Sequence, residues 1–356
     1  MECLSLCEKP VFVVGAARSG TTWVQCLISA HPDFISRAET HFFDELLYPG
    51  VICGGYQLHC PKRIWRDKNL SPAQLVHSFQ QLTKGFISLS NKTREKLIEQ
   101  ASKSMLSPAH YLNAIMYNCN DVPEVHMKRW VEKTPIHINY LEDIFYWFPQ
   151  AKIVCVIRDP VDVILSAHSS MRVPLGIALI DYIRAYQAIK TFLTKHPNFR
   201  NSVYFIYYEE IKSQPLSLTK LFEFLEVTVP NVFQILVESK KQFEKLYAGT
   251  SLEFVQPEMK NKRSDIPDSI GLINKDYLRA IISYLLPKNY LWERYLDRKI
   301  SIKKFNFIPI FCFLLKDIFH SLTYILLRRG SWILHSIYFY LKYYFSNRKM
   351  QDDKTF

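Results

Sequence analysis

At 356 residues, 48% of them hydrophobic, the chain is long enough for one large α/β domain or two modest ones, each with its own core. Lys and Arg number 45 against 33 Asp and Glu, and the net charge of +12 favours anionic partners such as nucleotides, sulfated glycans or acidic membranes. Between 301 and 350, eight Lys or Arg face the single Asp317, so the rest is only mildly basic and no nucleic-acid partner is expected. The eight cysteines (Cys3, Cys7, Cys26, Cys53, Cys60, Cys119, Cys155, Cys312) show no CxxC pair and no metal-ligand spacing. Buried reduced thiols and no metal are expected; a Cys53–Cys60 pairing is not required. No signal peptide or anchor precedes the first apolar run, which makes a cytoplasmic location the default expectation.

In chain order, residues 10–14 read as a buried strand that ends at Gly15 and runs into a helix over 21–30. Residues 34–60, mixed and rich in Gly and aromatics, read as loops. Ser71-Pro72 and Ser107-Pro108 each offer an N-cap followed by Pro at the first helical position, predicting helices over 72–90 and 108–118. Further strands are predicted at 152–157 and 202–207, and helices at 175–195, 215–226, 231–247 and 274–296. Short continuous apolar strands alternating with helices predict an α/β fold, a P-loop-kinase-like parallel sheet flanked by helices.

Gly15-Ala16-Ala17-Arg18-Ser19-Gly20-Thr21-Thr22 follows a strand and opens a helix, the setting of a phosphate cradle in which backbone amides and the positive helix end converge on an anion. Thr21 stands where a nucleotide-triphosphatase loop needs Lys, and the cation has moved inside the loop as Arg18. Arg158, at the carboxyl end of the 152–157 strand, and Ser166 mark a second anion site. Two such sites fit one nucleotide with two separated phosphates.

Together these segments resemble the PAPS-dependent sulfotransferases, PAPS being 3′-phosphoadenosine 5′-phosphosulfate. Ala17 to Thr22 look like the family's 5′-phosphosulfate loop, and Arg158 to Ser166 like its 3′-phosphate site. Glu132-Lys133-Thr134-Pro135 and Tyr207-Tyr208-Glu209-Glu210-Ile211 strengthen the resemblance, which covers 9–300 in order and spacing. Ala38-Glu39-Thr40-His41-Phe42-Phe43-Asp44 looks like the segment that carries the catalytic Glu of the glycan-modifying, heparan-type members. The resemblance implies PAPS as co-substrate, an acceptor hydroxyl or amine on a small molecule, sugar or glycolipid, and Glu39 as general base. It also implies Lys133 and Arg18 as stabilisers of the transferring group, and His41 either orienting Glu39 or touching the acceptor. A carboxylate in a desolvated cleft suits that proton transfer, and in-line transfer rests on positioning and charge stabilisation. Lys262 and Arg263, in a basic cluster with Lys260, match by position the late loop that closes over the 3′-phosphate; a solvated charge run is the alternative.

Residues 301–346 lie outside the resemblance and read as an aromatic-rich, amphipathic helical C-terminal extension. No apolar run there reaches the length of a membrane span, so peripheral membrane association stands beside packing on the catalytic domain or a second copy in a homodimer. Two rival functions remain at this stage: a kinase with an altered phosphate loop, and a non-catalytic nucleotide-binding protein that docks through its tail.

Overall fold

The structure, a computed structural model, describes residues 7–46, 108–117, 128–171 and 173–247, together with positions 279, 282, 291 and 293–295. The helix expected at 72–90, the Cys53–Cys60 pair, Lys262 and Arg263, most of 274–296 and the extension at 301–346 fall outside those residues.

Five strands form one parallel sheet: β1 (Val11–Gly15), β2 (Phe34–Ser36), β3 (Arg129–Lys133), β4 (Lys152–Ile157) and β5 (Val203–Tyr207), in the order β2-β3-β1-β4-β5. Parallel neighbours require crossovers, supplied by helices α1 (Thr21–Ser29), α2 (Pro108–Tyr117), α3 (Leu141–Trp147), α4 (Pro160–Met171) and α5 (Leu175–Lys195). Helices α6 (Tyr208–Ser213), α7 (Leu218–Phe224) and α8 (Val232–Leu246) follow β5. The expected parallel sheet flanked by helices is present.

Strand alternation divides the core. Phe12, Val14, Trp130, Ile153 and Cys155 face one layer with Leu112, Ile144 and Tyr186, whereas Val11, Val13, Val131, Val154 and Val156 face the other with Leu27, Leu221 and Ile235. Each fully buried aliphatic side chain contributes about 1.5–3 kcal/mol relative to exposure. Cys7, Cys26 and Cys155 are free, buried thiols, as expected. Among the described residues no helix is long and apolar enough to cross a membrane.

Three local expectations need correction. Residues 34–36 form an edge strand and Phe42–Leu46 a π-helical turn where loops were expected. Arg129–Lys133 is a strand the sequence does not advertise, because three of its five residues are charged. The helix expected over 215–226 begins as a 3-10 turn at Pro215–Ser217 and is α-helical only over 218–224. Because all strands run the same way, the carboxyl ends of β3, β1, β4 and β5 lie side by side, with Val13 opposite Lys133 and Gly15 opposite Val156. That shared edge carries the site.

Candidate active site

The turn after β1 is set by two glycines. Gly15 (φ 156°) has no room for a Cβ, which would lie 2.7 Å from the Val156 carbonyl oxygen. Gly20 (φ 96°) caps α1, and a Cβ there would lie 2.5 Å from the Tyr208 ring. Arg18 is also left-handed, at φ 70°. Ser19 is buried, and its amide donates to the Ala16 carbonyl at 3.1 Å. The amides of Gly20, Thr21 and Thr22 open α1 and have no intrahelical acceptor, so they and the positive helix end make the kind of cradle that suits an anion. Thr21 is buried, Thr22 is half-buried, and Ala17 is exposed at the loop's tip.

Beside the cradle, Arg18 Nε donates to Ser166 Oγ at 3.2 Å, and Arg158 Nη1 donates to the Arg18 carbonyl oxygen at 3.2 Å. The Arg158 guanidinium stacks 4.5 Å from the centre of the Tyr208 ring, and its buried Nε has no hydrogen-bond partner. Burial first, then repulsion from Arg158, pushes the Arg18 pKa down, with Glu39 opposing. Two guanidiniums held together beside amide donors make a site an anion would complete. The structure thus joins Arg18 to Arg158 and Ser166 as one cluster.

That cluster is braced from behind. The Tyr182 and Tyr186 hydroxyls donate to the carbonyls of Arg158 (2.9 Å) and Val156 (2.7 Å). The Asp159 amide donates to Glu209 Oε1 (3.2 Å), its Oδ2 pairs with Arg279 Nη2 (2.7 Å), and the Tyr295 hydroxyl donates to Glu209 Oε2 (2.6 Å).

A second cluster grows from β3, whose alternation sends Glu132 to one face of the sheet and Lys133 to the other, both fully buried. Glu132 Oε1 accepts from the hydroxyls of Thr40 (2.8 Å) and Thr134 (2.6 Å), while Thr134 Oγ1 accepts the amides of Thr40 and His41, both at 3.2 Å. These bonds fasten the segment before the π-helical turn onto the end of β3, and so place Glu39. Lys133 Nζ pairs with Glu39 Oε1; Glu39 Oε2 lies 3.2 Å from His41 Nε2; His41 Nδ1 lies 3.0 Å from Asp44 Oδ2. Behind them, His137 Nε2 is 3.3 Å from Asp44 Oδ1 and its Nδ1 is 2.9 Å from Glu132 Oε2.

The chain therefore alternates basic and acidic side chains: Lys133, Glu39, His41, Asp44, His137, Glu132. Burial works against every charge in it, yet each neighbour overrides that penalty. Burial would raise Glu39, but Lys133 and His41 bring it down to about 2. Burial would lower His41, but Asp44 and Glu39 lift it to about 10. His137 is lifted to about 9 against burial by Glu132 and Asp44. Of the predicted residues, Glu39, Lys133 and His41 thus form one constellation, and Arg18, Arg158 and Ser166 the adjoining one. Asp44, His137 and Glu132 as interacting groups were not foreseen, although the three-residue step from His41 to Asp44 was a readable signal. Among the described residues no His, Cys, Asp and Glu cluster is arranged to hold a metal ion.

A model described as the sulfotransferase family matches residues 10–231. The sulfotransferase domain from the curacin biosynthetic pathway is 20% identical, with a TM-score of 0.49 over 82% of this chain and 97% of that one. The sulfotransferase STF9 from Mycobacterium avium is 17% identical, with a TM-score of 0.40 over 68% and 70%. Mouse sulfotransferase SULT7A1, complexed with PAP, is 16% identical, with a TM-score of 0.38 over 79% and 86%. No curated protein matches the chain.

Proposed function

This chain belongs to the sulfotransferase family, and from that premise we propose that it transfers the sulfuryl group of PAPS to a hydroxyl or amine of a sugar or glycolipid, with Glu39 as general base. The observation that carries the reading is the Lys133–Glu39 pair on the same sheet edge as the Arg18–Arg158 cluster. A base and a cation thus stand beside an anion cradle.

The amides of Gly20, Thr21 and Thr22 hold the 5′-phosphosulfate, with Ala17 and Ser19 shaping the loop. Arg158 and Ser166 hold the 3′-phosphate, and Arg18 bridges the two groups. Lys262 and Arg263, outside the described residues, remain candidates to close over the nucleotide. As the acceptor atom attacks sulfur, the bond from sulfur to the bridging phosphate oxygen breaks and the acceptor proton passes to Glu39. Lys133 supplies positive charge where the leaving oxygen becomes negative.

Paired with Lys133, Glu39 titrates at about 2 and is a weak base. Turning the Lys133 ammonium toward the leaving oxygen removes the strongest charge holding Glu39 down and raises its basicity at the moment of transfer. His41, bonded to Glu39 on one nitrogen and to Asp44 on the other, fixes the carboxylate's orientation. The test is transfer from 35S-labelled PAPS to a panel of desulfated glycans, glycolipids, phenols and steroids by wild type and Glu39→Gln. Label in the sugar-containing acceptors, lost about 100-fold or more in the variant, is expected. Label only in phenols or steroids overturns the acceptor assignment, and an active variant overturns the base.

A further inference from the structure

Two buried residues outside every motif above meet each other beside Lys133. Gln25, on α1, is fully buried, and its amide is saturated: Nε2 donates to Ser36 Oγ (2.7 Å) and to the Arg37 carbonyl (2.6 Å), and Oε1 accepts from the Tyr247 hydroxyl (2.7 Å). A carbonyl only accepts, so the Arg37 contact fixes which end of the amide is nitrogen. Tyr247, at the end of α8, places its ring centre 5.3 Å from Lys133 Nζ. Its hydroxyl proton is committed to Gln25, so the Lys133 ammonium meets the negative face of its ring at cation–π distance rather than a competing donor.

Lys133 is thus gripped from two sides, by Glu39 from the segment after β2 and by Tyr247 from α8. Cys26, on α1, is the other titratable neighbour, and burial pushes its thiol up to about 12. The same Gln25 amide also ties down Ser36 and Arg37, just ahead of Glu39. One side chain on the helix that begins at the phosphate cradle therefore registers both members of the Lys133–Glu39 pair.

We propose that Tyr247, oriented by Gln25, is a positioning residue that aims the Lys133 ammonium at the reacting centre. The inference rests on the role given to Lys133 above. When Lys133 gives up Glu39 for the leaving oxygen, Tyr247 is the contact that stays, so the ammonium swings about a fixed support instead of searching rotamers. A lysine side chain has four rotatable bonds, and misplacement by about 1 Å can cost about 100-fold in rate. Tyr247, the C-cap of α8, lies beyond the 10–231 family match.

The test measures kcat, KM for donor and acceptor, and melting temperature for full-length Tyr247→Phe, Gln25→Met and Lys133→Met, using labelled PAPS and the best acceptor from the panel above. Calorimetry with 3′-phosphoadenosine 5′-phosphate (PAP), which lacks the sulfuryl group, reads the nucleotide site separately. Tyr247→Phe keeps the ring and the packing, and should lower kcat about 10- to 100-fold while PAP affinity and both KM values stay within about 2-fold. Gln25→Met should move kcat the same way, and decides the matter if Tyr247→Phe folds poorly. Wild-type kcat in the folded variants overturns the inference, as does a kcat loss matched by an equal loss of PAP affinity. Lys133→Met separates the two levels: if it is fully active, the role of Lys133 itself falls. If it is inactive while Tyr247→Phe is unaffected, only the positioning role falls.

Discussion

Six titratable side chains stand in single file, acid beside base, with Glu39 and His41 half-buried and the other four buried, and this sets how the site responds to pH. Glu39, brought from its ordinary 4.5 down to about 2, contributes stability that is complete above about 4.5 and lost as pH falls through about 2. His41, raised from 6.5 to about 10, contributes stability that is complete below about 6.5 and lost as pH rises through about 10; His137 behaves alike through about 9. The cluster is therefore strongest between about pH 4.5 and 6.5. His41→Gln is expected to lower the melting temperature most near about pH 5.5, with the deficit shrinking toward about pH 10; calorimetric melting across that range checks it, and a deficit that grows with pH contradicts it. At this scale Glu39, Lys133 and His41 were legible because their motifs are local. Asp44 and His137 took their meaning from the fold: the Lys133–Glu39 contact spans 94 residues, and Tyr247–Gln25 spans 222.

Elements aim these residues through backbone that tolerates few substitutions. Gly20→Ala would place a methyl at φ 96° and 2.5 Å from the Tyr208 ring, costing about 1–3 kcal/mol and displacing the ring on which Arg158 stacks. Gly15→Ala is expected to cost more, because the atom in its way is the Val156 carbonyl of the neighbouring strand, which cannot rotate aside. Urea denaturation of both variants ranks them, and equal stability would contradict the geometry. The brace behind Arg158 is an element-scale device too. Arg279→Met leaves Asp159 Oδ2 without its guanidinium and should cost about 1–3 kcal/mol of stability, with weaker PAP binding. Unchanged PAP affinity in that variant would show that the 279–295 contacts only stabilise. Strands β1, β4 and β5 were legible as apolar runs. Strand β3 was not, because a sequence cannot show that Glu132 and Lys133 will each find a buried partner and so be admitted to the core.

For the molecule as a whole, parallel strand direction is what turns separate motifs into one site. The cradle after β1, Lys133 at the end of β3, Arg158 at the end of β4 and Tyr208 after β5 share an edge only because every strand points the same way. The family match accounts for the sheet and its loops, while Tyr247, Arg279 and Tyr295 reach the site from later in the chain. The measurement that tests the central claim most directly is calorimetric titration of the full chain with PAP in the presence of a chelator, beside Arg158→Ala. Saturable metal-free binding that falls at least about 10-fold in the variant is predicted, since a charge-assisted contact to phosphate is lost. No binding by the folded protein, or equal binding by the variant, would contradict the placement of the donor at this edge.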